Sequence, residues 1–266
     1  MLVLSLPEPG PDSPQGLRGA TMKDFSLWAL LPLLHALFTA AGLWLVYSVA
    51  VDNQNVAPLS SQTWRTNGSL YPPYISIAGN FPPASCIFSQ VMNLSAFAGL
   101  LIGLLRYLQV RRRLVSVWLN RCSLAAFSTA CCGMSLLGNF QIFPQLVVHN
   151  LGTALTFGLG LVFCWTQAVI TLKADQGSRA GAAVRFLLSA CITLCMVPYF
   201  WLMALEQHLQ AARCQWALVS FLLLFISTFA LEFRHSSFHI VTLDTAARPF
   251  TQSDHRDASE APPTRI

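Results

Sequence analysis

What this 266-residue sequence lacks first is charge: Asp, Glu, Lys and Arg together make up 10% of it, against about 25% in an average soluble protein. A soluble globule is excluded, because its surface could not be covered with polar groups. Five long stretches carry no charged side chain at all: Phe25 to Val51, Thr66 to Leu105, Cys122 to Leu172, Phe186 to Leu205 and Cys214 to Leu231. A bilayer core is crossed by roughly 20 helical residues, so these stretches have the length of membrane spans. Residues 1–24 have no basic segment leading into an apolar run, which excludes a secretory signal at that point, and read as a flexible leader.

The stretch from Cys122 to Leu172 is too long for one helix and is interrupted by Gly138-Asn139-Phe140-Gln141, Pro144 and His149-Asn150-Leu151-Gly152, so it divides into two spans. The start of the stretch from Thr66 is too rich in Gly, Pro and Asn for a lipid-exposed helix, which must satisfy its own backbone groups. Six spans result, at about Leu27 to Val51, Ile87 to Leu105, Cys122 to Leu137, Leu151 to Leu172, Phe186 to Leu205 and Trp216 to Leu231. The fold class is therefore all-α, a polytopic membrane domain over residues 25–241, with external loops 52–86, 138–150 and 206–215 and a disordered cytosolic tail over 242–266.

Basic residues are unevenly placed: only Arg65 and Arg213 of the 16 Lys and Arg fall on one side of this arrangement. Cytoplasmic loops carry the excess, so both termini are expected in the cytosol. The formal net charge of +5 is thus a matter of topology, split among four segments, and no nucleic-acid surface is implied. Arg111, Arg112 and Arg113 fix loop orientation and are candidates for contact with anionic lipid headgroups of the bilayer.

Catalytic constellations are also missing. With the spans so bounded, no Asp, Glu, Lys or Arg lies inside one, and the polar residues within them are chiefly His35, Asn93 and Gln167. One histidine cannot supply paired haem ligands and there is no nucleophile with a base, so interhelical hydrogen bonding is the expected role. No cofactor or metal is implied. Glu232, His235 and His239 could share a helical face beyond the last span, but too few ligands surround them for a metal site, and they read as a solvated collar. Cys131-Cys132-Gly133 lies mid-span and reads as packing. Only Cys86 and Cys214 fall at the external face, where a disulfide is permitted. Asn67-Gly68-Ser69 is a glycosylation sequon in an external loop, whereas Asn93-Leu94-Ser95 is buried in a span.

The external loops are rich in Pro and aromatic residues and read as a rigid cap over the helix ends. Its motif residues are Pro73, Tyr74 and Ser76, then Pro82 and Pro83 ahead of Cys86-Ile87-Phe88, and Gly138, Asn139, Phe140 and Gln141. These stretches resemble the signatures of the Frag/DRAM/Sfk family of six-span proteins, which includes the damage-regulated autophagy modulators and the transmembrane protein 150 group, over about Met22 to Val241. Ser76-Ile77-Ala78-Gly79, Phe88-Ser89-Gln90-Val91-Met92-Asn93 and Glu232-Phe233-Arg234-His235 are most similar to the tentonin-like C branch of that group. The resemblance implies a non-enzymatic plasma-membrane, endosomal or lysosomal protein. In the C branch it implies a component or modulator of a mechanically activated cation conductance, with channel subunits as partners. In other branches it implies a scaffold for a phosphatidylinositol 4-kinase complex or a modulator of autophagy. Cys214-Gln215-Trp216 stands where many relatives have Cys-Glu-Trp, so any role of that acidic residue is not carried over.

Overall fold

A computed structural model describes residues 2–5, 26–62, 70–111, 116–174, 179–234, 236 and 239–242. Six helices in it are long and apolar enough to cross a membrane: α1 (Leu27–Asp52), α2 (Ala84–Arg111), α3 (Val117–Asn139), α4 (Leu146–Ala174), α5 (Arg179–Ala204) and α6 (His208–Phe233). Helix α4 contains a π-helical turn at Leu155–Leu159. A four-residue helix, Ile75–Ala78, lies between α1 and α2. Residues Leu2–Ser5 and His239–Thr242 pair as two antiparallel strands in a unit of their own, apart from the helical unit spanning Ser13–Ser237.

Sequence neighbours pack side by side, and α6 returns against α1, so the six helices close into a ring. Fully buried Phe88, Ile102, Phe163, Ile192, Leu218 and Phe225 fill the interior, while Leu37, Leu45, Phe97, Leu187, Leu194 and Trp201 stand exposed on its outer surface. An apolar exterior of this kind is the face a bundle presents to lipid. Small residues let the helices approach closely. A Cβ built on Gly133 of α3 would lie 2.8 Å from the Gly152 carbonyl oxygen and 2.8 Å from Leu155 Cβ of α4.

The helices are longer than the charge-free stretches. Helix α3 begins at Val117 and continues through Asn139, and α4 begins at Leu146, so much of the loop expected over 138–150 is helical. Likewise α2, α5 and α6 run past the charged residues that bound the expected spans, which brings Arg106, Arg185 and Glu232 inside the bundle. That overturns the expectation of spans without ionisable residues. The charge-free criterion ends a span at the first charge, whereas a helix continues wherever its polar residues find partners. Residues 53–62, 70–83, 140–145 and 205–207 share one end of the ring, here the cap end; Arg106, Arg185 and Glu232 lie toward the other, the terminal end.

Candidate functional site

At the cap end, the segment before the short helix docks on α6. The Gln215 side-chain oxygen accepts the Ile75 N–H at 2.9 Å, and the Trp216 indole donates to the Pro73 carbonyl at 3.0 Å. Trp216 also packs on Trp44 and Tyr47 of α1, with ring centroids 4.7 and 5.5 Å away. The Tyr74 hydroxyl lies 3.2 Å from His208 Nδ1, and burial pushes its pKa upward, which keeps the proton on the phenol. Arg213 donates to the carbonyls of Leu59 and Ser61 at 2.9 and 2.8 Å. Tyr71, Phe81 and Phe143 form an aromatic cluster. A cavity of about 660 Å³ lies under this cap, lined by Tyr74, Ser76, His149, Tyr199 and His208 among others.

The remaining motif residues sit at helix junctions. Pro82 and Pro83 are exposed and joined by a cis peptide just ahead of α2. Gly138 lets α3 approach α2, since a Cβ there would stand 2.8 Å from Met92 Cβ. Asn139 exchanges hydrogen bonds with Asn93, its amide donating to Asn93 Oδ1 at 3.1 Å and its oxygen accepting from Asn93 Nδ2 at 3.0 Å. The Phe140 carbonyl is 2.8 Å from His149 Nδ1, and the Gln141 carbonyl accepts the Gln145 N–H at 3.1 Å. Asn67, Arg112 and Arg113 lie outside the described residues; Arg111 is exposed at the last position of α2. Cys86 and Cys214 are not bridged: both thiols are free, Cys86 exposed on α2 and Cys214 half-buried on α6, two helices separated in the ring by α1.

Within the bundle, His35, Asn93 and Gln167 hydrogen-bond between helices. His35 Nε2 is 3.1 Å from the Ser95 carbonyl, which can only accept, so Nε2 carries the proton and Nδ1 is left as a buried acceptor with no partner among the described residues. It borders a small apolar central cavity of about 120 Å³.

The terminal end holds the most concentrated chemistry. Arg185 of α5 is 1% exposed and Arg106 of α2 4%. Glu232 of α6 presents both carboxylate oxygens to Arg185, at 2.6 Å each, and stands 3.7 Å from Arg106. Arg185 Nε donates to Thr228 at 3.1 Å and its Nη1 to the Thr171 hydroxyl. Arg106 donates to Gln109 at 2.7 Å, to Gln167 at 3.1 Å and to Thr171 at 3.2 Å. The Gln109 side-chain NH2 donates to the Ser236 hydroxyl and to the Glu232 carbonyl, and that of Gln167 donates to the Ser123 hydroxyl of α3. Both guanidiniums lie against the Phe229 ring, at 5.5 and 4.3 Å from its centroid. Side chains of α2, α3, α4, α5 and α6 thus meet in one ionic cluster. Glu232 is therefore a bundle residue rather than part of a solvated collar. His235 lies outside the described residues, and no group of three or more potential metal ligands occurs among the described ones.

The sequence reading passes over Arg106 and Arg185 and places Glu232 in a solvated collar because each of the three stands immediately beyond a charge-free stretch. A signal was present in the polar stripes that accompany them at helical spacing, Arg106 with Gln109, Gln167 with Thr171, and Thr228 with Glu232 and Ser236.

Residues 27–236 match the family described as the Frag1/DRAM/Sfk1/Cwh43P N-terminal domain. The modulator of macroautophagy TMEM150B of Danio rerio is 35% identical over 230 residues, covering 86% of this chain and 95% of the relative. The protein of the same name from Xenopus tropicalis is 34% identical over 214 residues, 80% of this chain and 89% of the relative. Transmembrane protein 150A of Mus musculus is 34% identical over 231 residues, 77% of this chain and 83% of the relative. No solved structure matches.

Proposed function

The chain belongs to the Frag1/DRAM/Sfk1/Cwh43P family of multi-pass membrane proteins, and from that membership we propose that it is a non-enzymatic regulator acting on other membrane machinery, in the first place as a modulator or accessory component of a mechanically activated cation conductance. The observation that carries this reading is the filling of the bundle axis. Phe127 and Phe163 stack with ring centroids 4.0 Å apart, and Phe225 and Phe229 pack against Phe163 at 6.3 and 6.0 Å. A cation path needs carbonyls or acidic side chains in place of the hydration shell, and this stack offers neither within a single copy. Motion of the bundle must then be read by partners. The ionic cluster is suited to that, because it ties together the ends of five helices that lateral tension would separate. The kinship of Ser76–Gly79 and Glu232–Arg234 with the tentonin-like branch supports conductance as the process concerned.

The names of the relatives favour a second reading, modulation of autophagy from an endosomal or lysosomal membrane. One experiment separates the two. The chain is expressed in cells with and without an independent mechanically activated channel, and indentation-evoked currents and autophagic flux are measured together. Slowed or enlarged current only where the channel is present supports the first reading. Unchanged current with altered flux supports the second.

A further inference from the structure

We infer that the cavity under the cap is a binding site for an uncharged lipid whose headgroup is a hydroxyl, admitted from the outer surface of the bundle between α4 and α5. At about 660 Å³ the cavity lies within the range of roughly 300–1,000 Å³ usual for small-molecule sites. Among the described residues that line it there is no Asp, Glu, Lys or Arg, so a charged headgroup would lose its hydration there without gaining a counter-ion. The inference is independent of which membrane machinery the protein regulates.

Two nearly buried side chains in the wall keep unused hydrogen-bonding capacity. His149 of α4 is 2% exposed. Its Nδ1 faces the Phe140 carbonyl, which can only accept, so Nδ1 carries a proton and in the neutral ring Nε2 holds a lone pair. Nε2 has no partner among the described residues and, unlike His35 Nδ1, is not sealed by neighbouring atoms, so it opens on the cavity that His149 lines. Tyr199 of α5 is 5% exposed and lines the same space. Its hydroxyl oxygen is 3.5 Å from the Gln215 side-chain nitrogen, which can only donate, and the phenolic proton has no acceptor among the described residues. One free acceptor and one free donor in a largely apolar wall match an alcohol, which donates one hydrogen bond and accepts another. A ketone or an ether lacks the proton that His149 Nε2 requires.

The helices that flank the cavity are irregular beside it. The π-helical turn of α4 follows directly on Thr153 and Ala154, and Pro198 of α5 directly precedes Tyr199 and Phe200, all four of which line the space. A proline withdraws an N–H from the backbone ladder, and π-helical turns recur at functional sites. Ala154 and Phe200 are also exposed on the outer surface of the bundle. Between them the apolar body of a lipid can reach the bilayer while its hydroxyl stays with His149 and Tyr199.

A sterol and a monoacylglycerol both carry this chemistry, and the test separates them. The full chain in dioleoyl phosphatidylcholine nanodiscs is photolabelled with cholesterol or with monoolein bearing a diazirine in the hydrocarbon portion, and labelled peptides are mapped by mass spectrometry. Saturable labelling around Ala154 and Phe200 is expected from at least one reagent. Labelling by one alone identifies the source, and labelling by both assigns the site to the alcohol group that they share. The unlabelled alcohol should compete at least about tenfold better than its fully O-methylated form, which has no proton for His149 Nε2. His149→Asn keeps a donor for the Phe140 carbonyl but loses the acceptor, and should weaken labelling about tenfold. Because that variant could fail to fold, Ala154→Phe supplies a second arm. It narrows the mouth without removing a polar group, and should weaken labelling about tenfold while the melting temperature in the same nanodiscs stays unchanged. No saturable labelling of these segments by either reagent, equal competition by the O-methylated form, or undiminished labelling of Ala154→Phe overturns the inference.

Discussion

Removing the charge of Glu232 is the most informative perturbation of this bundle. Glu232→Gln keeps the side-chain shape but leaves Arg106 and Arg185, both almost fully buried, without the carboxylate that stands between them. Breaking a buried pair by deleting one partner costs about 3–5 kcal/mol. Glu232 is 22% exposed at its side chain, so the lower end, about 3 kcal/mol or somewhat over a hundredfold in the folding equilibrium, is the expected loss. Arg185→Met should cost less, because Arg106 stands 3.7 Å away and can move toward the released carboxylate. The double variant should recover part of the combined loss, with a coupling of about 2 kcal/mol. Reversible unfolding of the purified chain by sodium dodecyl sulfate in mixed micelles, followed by tryptophan fluorescence, gives all four stabilities. Single losses under about 1 kcal/mol that simply add would refute the idea that this cluster braces the terminal end.

Other consequences can be checked with the same protein. Gln215→Ala should destabilise by about 1–3 kcal/mol, since it leaves the buried Ile75 N–H without its acceptor; Gln215→Glu should be tolerated in the same unfolding assay, because a carboxylate oxygen can accept that bond. Gly133→Ala should cost about 1–3 kcal/mol by forcing α3 away from α4, read as a lowered melting temperature. Asn67→Gln should remove a glycosidase-sensitive gel shift, whereas Asn93→Gln should leave it, because the Asn93 amide is bonded to Asn139 and to the Ser89 carbonyl inside the bundle. Epitope tags at the two ends of the chain should stain only in permeabilised cells; surface staining of intact cells contradicts cytosolic termini.

The span count was legible because a shortage of charge constrains helices directly: lengths measured against a bilayer leave little choice. The cap was visible as clusters of Pro, Gly and aromatic residues, and the structure shows how Pro73, Ile75 and Trp216 are joined there. What sequence alone could not supply was pairing across helices. Glu232 beside His235 and His239 looks like an end of helix in water, and only the closure of α6 against α5 turns it toward Arg185. Similarly, Cys86 and Cys214 share an end of the molecule, yet ring order keeps α1 between their helices. Such relations depend on which helix neighbours which, and that information is spread over the whole interior.

A bundle that regulates rather than conducts is tested most directly by reconstitution of the purified chain alone in planar bilayers under graded suction. No tension-dependent cation current above that of protein-free bilayers is predicted. A robust stretch-gated current from the chain alone, lost on Glu206→Gln or Asn139→Ala, would contradict the account and place the pore within copies of this protein.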